Sequence, residues 1–206
     1  MIKESTWGIE VLNPPHLNKQ CSRCKNHKFY CSEKFRMNAQ KKNIDIWLIY
    51  RCSSCDNTFN MTILSRTKSD LIDKGLFDKF SKNDKETAWE YAFSSEIGKK
   101  NNVEIDFGSV EYQIKYKGDQ LEDLLKSDYC SIVFRIDYPF NFQLKTSSII
   151  KTCLNLSTSQ LNKLIEAKGI YVQGSPLLRK YKVRNGDVVQ INIKRFREIY
   201  GLWDNI

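Results

Sequence analysis

Hydrophobic and polar residues alternate in several stretches of the chain, as they do in strands that bury one face. The alternation predicts two long strands over 29–40 and 44–51, and the polar tripeptide 41–43 between them predicts a turn. Before this hairpin, residues 7–15 have the composition of a short extended lead-in. Shorter alternating stretches follow at 103–107, 110–116 and 132–138. We therefore expect an N-terminal hairpin and further strands in the middle of the chain.

Apolar residues at helical spacing lie between these two groups of strands. Over 69–80 one helical face contains Leu71, Ile72, Leu76 and Phe80. Over 87–97 the corresponding face contains Ala88, Trp89, Ala92, Phe93 and Ile97. Gly98 follows directly and is expected to end the second helix.

A capping box predicts the start of a helix near the C-terminus. Ser157 is followed three residues later by Gln160, and the pair Leu156 and Leu161 has the spacing of a hydrophobic staple. Gly169 is expected to end this helix. A shorter helix is predicted just before it, over 147–154.

Short strands are predicted after the capped helix. Ile170 and Val172 alternate with polar residues, and Gly174 is expected to break that strand. Asn185-Gly186 favours a type I′ hairpin turn. A last strand is predicted from the alternation of Val189, Ile191 and Ile193.

Four of the seven cysteines form two C-x-x-C pairs, Cys21 with Cys24 and Cys52 with Cys55. Each such turn can aim two sulfurs at one tetrahedral ion. The 27 residues between the pairs are absorbed by the predicted hairpin. We expect one structural zinc ion per chain, because a shell of four sulfurs leaves no coordination position for a reacting water molecule.

Other interpretations of these cysteines remain open at this point. A redox-active dithiol is one, although such pairs normally open a helix in a βαβ unit. Cys31, His27 and His16 are possible rival ligands, and we leave them outside the site. Cys130 and Cys153 have apolar neighbours and are expected to behave as small hydrophobic residues.

The positive charge of this 206-residue chain, formally +9, is concentrated at its two ends. Segment 1–64 carries 10 basic and 5 acidic residues, segment 65–142 carries 12 and 15, and segment 143–206 carries 11 and 4. A cluster of cations is the pattern that a phosphate backbone attracts. The longest apolar run, 46–50, is far shorter than the ~20 residues of a membrane span. We expect a cytoplasmic protein without a membrane or small-molecule partner.

The C-terminal quarter, about 145–193, resembles the ribosomal-protein S-four-type RNA-binding domain. The resemblance rests on LSTSQ at 156–160, IYVQG at 170–174 and VRNGDVV at 183–189. It implies that the start of the second helix and nearby cations face RNA phosphates. Thr158 and Gln173 depart from the family pattern, so weak sequence selectivity is expected. The RNA-binding residues implied or suggested by the basic clusters are Lys151, Ser157, Ser159, Gln160, Lys163, Lys168, Arg179, Lys180, Lys182, Arg184, Lys194 and Arg195.

The chain also resembles, over nearly its full length, the bacterial domain-of-unknown-function family 1062. The residues that carry this likeness are CSEKFRMNAQ at 31–40, IDIWLIY at 44–50 and the second C-x-x-C pair followed by Asp56-Asn57-Thr58. No reaction comes with this resemblance. The polar and basic strand 34–42 is expected either to extend a nucleic-acid surface or to be a solvated hairpin edge.

Together these patterns predict an α+β protein of three parts. They are a zinc-ribbon hairpin over 1–64, a mixed α+β middle over 65–142 and an S-four-like module over 143–206. The predicted function is non-catalytic binding of structured or ribosome-associated RNA. Aromatic residues Tyr181 and Phe196, set among the C-terminal cations, are expected to stack on bases.

Two alternatives come from other classes of protein. One is a zinc-ribbon adaptor that contacts a protein in transcription or translation. The other is an enzyme that uses the middle segment. The chain has no Gly-rich phosphate loop, no H-E-x-x-H and no G-x-S-x-G motif, and the pair Glu122-Asp123 is expected to be surface charge on a short helix.

Overall fold

The protein is mixed α+β, with two β-sheets and six α-helices among the residues that the computed structural model describes, 2–117 and 128–200. The pair Glu122-Asp123 lies outside these residues. The strands are β1 Ile2–Val11, β2 His16–Asn18, β3 Lys28–Gln40, β4 Asn43–Cys52, β5 Thr58–Lys68, β6 Glu104–Asp106, β7 Tyr112–Lys117, β8 Ser131–Asp137, β9 Ile170–Val172, β10 Ser175–Pro176 and β11 Val188–Asn192. The helices are α1 Lys74–Lys82, α2 Lys85–Ala92, α3 Ser95–Lys100, α4 Thr146–Cys153, α5 Thr158–Glu166 and α6 Ile193–Tyr200.

The chain divides into two compact units, one of residues 11–111 and one that combines residues 1–10 with 112–206. This division does not follow the borders predicted at 64 and 142. The hairpin strands and the helices α1 to α3 share one core, because the apolar faces of those short helices are buried against the sheet. The first strand of the chain belongs with the C-terminal part, because it pairs with β8.

The five-stranded unit has the strand order β5-β4-β3-β2-β6, and every neighbouring pair that forms it is antiparallel. The predicted hairpin of β3 and β4 is confirmed, with a register shift between Cys31 and Lys34. One face of the sheet buries Leu48, Tyr50 and Met61 against the helices. Phe80 of α1 completes that core and meets the ring of Phe35 edge-on at 4.9 Å.

The sequence predicts two helices in this unit, over 69–80 and 87–97, but the structure has three shorter ones, α1 to α3. Residues Ser69–Leu71 form a 3₁₀ turn, Leu71 is 74% exposed, and α1 begins only after Asp73, whose carboxylate accepts the N–H of Leu76. The predicted helix 87–97 is two helices, because Ser94 caps a new one by accepting the N–H of Ile97.

Gly98 lies inside α3 and does not end a helix, which corrects the sequence prediction. A Cβ atom at this position would lie 2.9 Å from Cδ1 of Ile105, which is in β6. A side chain at this position would therefore displace Ile105 and crowd the backbone oxygen of Val103, 3.3 Å away, so glycine suits this close approach of the helix to the strand.

The other unit contains a six-stranded sheet of order β10-β9-β11-β8-β1-β7. β1 pairs with β8 in parallel, whereas β11 pairs antiparallel with both β8 and β9. The ring of Trp7 stacks on that of Phe134 at 4.0 Å between centroids. The predicted helix over 147–154 is confirmed as α4, and the capped helix as α5.

The predicted type I′ hairpin at Asn185-Gly186 is wrong. A type I′ turn needs positive φ at both central residues, and only Gly186 has it, with φ of 80°. The preceding residues do not pair with β11, because Val183 donates its N–H to Leu144 and Lys182 bridges to Lys145. Positive φ at two successive turn residues occurs instead at Gln173 and Gly174, between β9 and β10.

The last predicted strand also ends earlier than expected. Ile193 begins α6, and Asn192 holds the helix start by accepting the N–H of Arg195 on its side-chain oxygen. At the end of α5 the left-handed residue is Lys168, with φ of 52°, and Gly169 stands one place later. None of the described helices combines the length and the apolar character that crossing a membrane requires.

Candidate metal centre and basic surfaces

The two C-x-x-C pairs meet at one point of the five-stranded unit. The Sγ atoms of Cys21, Cys24, Cys52 and Cys55 all lie within 4.8 Å of one another. The Cys21 and Cys55 sulfurs are 3.7 Å apart, and those of Cys24 and Cys52 are 3.5 Å apart. Four sulfurs at ~2.3 Å from a tetrahedral ion would be about 3.8 Å from one another. The cluster therefore has the dimensions of a metal site.

The two turns have the same backbone structure. In the first, Lys25 donates its N–H to the carbonyl of Cys21 at 3.1 Å, and in the second Asp56 donates to Cys52 at 3.0 Å. Lys25 and Asp56 both have positive φ, 64° and 55°. The corresponding sequences are CSRCKN at 21–26 and CSSCDN at 52–57. Sequence reasoning missed this short repeat, although the shared asparagine after the second cysteine was visible in the sequence.

Each of these asparagines supports the turn that does not contain it. Asn26 donates its side-chain N–H to Sγ of Cys52 at 3.8 Å, and Asn57 donates to Sγ of Cys21 at 3.7 Å. Each asparagine also closes its own turn through its backbone. The backbone oxygen of Asn26 accepts the N–H of Cys21 at 2.7 Å, and that of Asn57 accepts the N–H of Cys52 at 2.9 Å. The side-chain donors partly neutralise the negative charge of thiolates, and the backbone bonds close each turn.

Hydrogen bonds to sulfur favour the thiolate form that a metal needs. The N–H of Cys24, and after it that of Arg23, lowers the pKa of Cys21 to about 6. Burial by itself would raise the pKa of Cys52, but hydrogen bonds from the N–H groups of Ser54 and Cys55 outweigh it, and the pKa of Cys52 is lowered. The pKa of Cys55 is raised to about 12 despite the N–H of Asn57, because burial and the neighbouring sulfurs disfavour a further negative charge. A bound cation would offset that repulsion.

The other cysteines and both histidines are outside the cluster. Within the described residues, the four cysteines are the only group of three or more candidate ligands. Cys31 is buried in the core, and burial raises the pKa of its thiol to about 12. Cys130 is exposed, contrary to the expectation of a buried small hydrophobe, and Cys153 is half-buried. His27 is exposed, and burial lowers the pKa of His16.

At the start of α5 the polar side chains are engaged in the cap itself. The hydroxyl of Ser157 accepts the N–H of Gln160 at 3.1 Å, and Oε1 of Gln160 accepts the N–H of Ser157 at 2.8 Å. Lys151 donates from Nζ to the hydroxyl of Thr158 at 2.9 Å. Ser159 is exposed on the first turn. Of the predicted cations, only Lys151 is linked to this helix start by a described contact.

Several C-terminal cations are brought together elsewhere, around the loop 179–182. The backbone of this loop is hydrogen-bonded to the start of α4, since Thr146 donates its N–H to the backbone oxygen of Tyr181. It also joins the end of α5, because Arg179 forms an ion pair with Glu166 at 2.8 Å. Lys182 donates to Oε1 of Gln143 at 2.6 Å. The predicted cations that are exposed are Lys151, Lys163, Lys168, Arg179, Lys180, Lys182, Arg184, Lys194 and Arg195.

The predicted stacking of RNA bases on Phe196 is wrong. Phe196 is 1% exposed and belongs to the core of the six-stranded unit, because α6 turns that side chain inward. Tyr181 is half-buried and donates its hydroxyl to Oδ1 of Asp187 at 3.3 Å. The cations around these rings are on the surface, but the rings are not a base-stacking platform.

Replacing Ser157 by alanine should loosen α5 locally. Both reciprocal bonds of the capping box depend on this residue, and loss of such a cap costs about 1 kcal/mol. Hydrogen exchange of the α5 amides should accelerate by roughly fivefold. Ser159→Ala is the matched control, because its side chain takes no part in the box. Equal exchange rates in the two variants would contradict the assignment.

The fold and the site together describe a mixed α+β protein with a candidate four-cysteine metal site. A family model described as "Protein of unknown function (DUF1062)" matches residues 37–175, about two thirds of the chain. The protein therefore belongs to this family, although the match covers less of the chain than the nearly full-length resemblance expected from the sequence. No curated protein and no solved structure matches the chain. The matched range begins after Cys21 and Cys24 and includes Cys52 and Cys55.

Proposed function

We propose that this is a non-catalytic RNA-binding protein in which a structural zinc ion holds the five-stranded unit together. The RNA is structured, ribosomal or ribosome-associated, and recognised with little sequence selectivity. The observation that carries the proposal is the set of exposed C-terminal cations around the loop 179–182. Only one of them, Arg179, has an acidic ion-pair partner among the described residues.

Zinc is the metal that the donor set favours. Four cysteine thiolates suit zinc, and this shell is closed by protein sulfur alone. A closed shell leaves no coordination position for water, which supports a structural role over a catalytic one. The ion would tie the end of β4 to the turn after β2, two points far apart in the sequence.

The two asparagines that donate to sulfur should affect how tightly the ion is held. We expect Asn57→Ala to weaken zinc binding by about 10- to 100-fold, as removal of groups that support metal ligands generally does. Competition with a chromophoric chelator measures this. The matched control is Asn43→Ala, at the exposed first residue of β4. Identical zinc affinity in the two variants would contradict a role for Asn57.

RNA binding is supported by where the cations stand. The loop 179–182 joins the start of α4 to the end of α5, so cations from separate parts of the sequence contribute to one region. Arg195 of α6 lies close to the end of α5, because a Cβ atom built on Gly169 would be only 3.4 Å from the Cβ of Arg195. Lys168, the neighbour of Gly169, is therefore near α6. Phosphate contacts from such groups position RNA without reading its sequence.

A protein adaptor is the second candidate, and exposed leucines favour it. Leu178 is 71% exposed beside Arg179, and Leu71 is 74% exposed in the other unit. Large exposed apolar side chains are common at protein contacts, although single ones also occur on ordinary surfaces.

Crosslinking in intact cells distinguishes the two candidates. After ultraviolet irradiation and purification under denaturing conditions, we expect covalently bound RNA with crosslinked peptides from 145–197. Recovery of crosslinked protein without RNA would favour the adaptor. Absence of RNA from the purified protein would overturn the proposal.

A further inference from the structure

The sheet of the five-stranded unit has a second face, opposite the one that packs on α1 to α3. Residues that pair directly across antiparallel strands project from the same face. Trp47 of β4 stands opposite Arg36 of β3 and Thr62 of β5. One step along, Ile49 stands between Lys34 and Asn60. This face therefore carries a tryptophan with a cation beside it on the neighbouring strand.

The same face continues to the end of β4. Arg51 is two residues beyond Ile49 and stands opposite Tyr30 of β3 and Thr58 of β5. Lys34, Arg36 and Arg51 are exposed, and Trp47 is half-buried. We call these four residues the Trp47 face.

Nearby acidic groups are already occupied by other donors. Asp45 accepts the N–H of Arg66 at 2.8 Å, and Asp56 accepts the hydroxyl of Tyr30 at 2.8 Å. Glu33 stands at the register shift and accepts the indole N–H of Trp89, which packs on the helical side. Among the described residues, no ion pair joins a carboxylate to Lys34, Arg36 or Arg51. The face is thus positively charged as well as aromatic.

We propose that the Trp47 face binds an unpaired stretch of RNA. A base would stack on the indole of Trp47, and Lys34, Arg36 and Arg51 would contact the flanking phosphates. Lys34 and Arg36 are about 7 Å apart along β3, so they can serve successive positions of an extended strand. The side chains of Thr58 and Thr62 on β5 supply polar groups beside the same platform. This inference rests on the proposed function, and it gives the five-stranded unit a binding role of its own.

The full-length protein, titrated with a ten-nucleotide oligouridylate and separately with an RNA hairpin, tests this assignment. Replacing Trp47 by leucine should weaken oligouridylate binding by about 10-fold or more, because stacking on one aromatic ring contributes that much. Trp47→Phe should retain most of the affinity, because phenylalanine also offers a ring. Oligouridylate should quench the fluorescence of the wild type more than that of Trp47→Phe.

Two further variants separate a failure of this inference from a failure of the proposed function. Arg36→Glu, an exposed change, should weaken oligouridylate binding without loss of bound zinc. Lys163→Glu combined with Lys182→Glu should weaken hairpin binding and leave oligouridylate binding nearly unchanged. Wild-type oligouridylate affinity in both Trp47→Leu and Arg36→Glu would overturn the Trp47 face while RNA binding stands. Failure of the wild type to bind either RNA would overturn both proposals.

Discussion

The Cys21→Ser and Cys55→Ser variants should each lose the bound zinc and the cooperative unfolding transition of the five-stranded unit. Cys21 and Cys52 are completely buried, and each of these two cysteines is bonded to the asparagine that ends its own turn. Without the ion, the four sulfurs of the two C-x-x-C turns are no longer held together by a shared metal, and the folding free energy that metal binding contributes is lost. Elemental analysis should fall from about one zinc per chain to nearly none.

Two other cysteines provide the controls for this experiment. Cys130→Ser changes an exposed residue in the other unit and should keep both the zinc and the transition. Cys31→Ser should keep the zinc, but it places a hydroxyl in the core beside Tyr50 and should lower stability. A full complement of zinc in both ligand variants would show that the four sulfurs do not hold the ion.

Features that depend on neighbouring residues were predictable from the sequence. The capping box of Ser157 and Gln160 forms as expected, because both of its bonds span three residues. The hairpin of β3 and β4 forms because its apolar residues alternate on either side of a short polar turn. The four-cysteine cluster follows from the same hairpin, which brings the two C-x-x-C turns together.

Features that depend on distant partners were not predictable in this way. Residues 7–15 were expected to be a short extended lead-in, yet Trp7 lies in β1 and pairs with Ile136, more than 100 residues later. Residues 58–68 were not predicted as a strand, although β5 completes the pairing of β4. In each case the strand is specified by the partner it meets and only weakly by its own alternation.

The loop before β11 shows how a strong local pattern can be overridden. Asn185-Gly186 favours a hairpin, but the side chain of Asn185 accepts the N–H of Tyr138 instead. Asp187 is buried at 3% exposure and accepts the N–H of Arg184 and the hydroxyl of Tyr181. The bond from Tyr138 to Asn185 and the backbone bond from Ile136 to Asp187 hold the loop against β8, and β11 then pairs with β8 and β9. Within the loop, the buried carboxylate of Asp187 fixes the positions of Tyr181 and Arg184.

Charge reversal at Lys163 and Lys182 should weaken binding to structured RNA and reduce its salt dependence. If about four to six phosphates are neutralised, the logarithm of affinity should fall with the logarithm of salt concentration at a slope of several units. Removing two contacts should lower that slope by about two, because each contributes about 0.9. Both side chains are exposed, so zinc content should not change, and stability should stay within about 0.5 kcal/mol.

The matched control for this double variant is Lys74→Glu combined with Lys79→Glu on the exposed side of α1. It produces the same change in net charge, but in the five-stranded unit. Because local phosphate contacts set the slope, the control should retain the slope of the wild type. An equal loss of slope in both variants would mean that RNA responds only to net charge. Wild-type RNA binding by Lys163→Glu with Lys182→Glu would favour the protein adaptor instead.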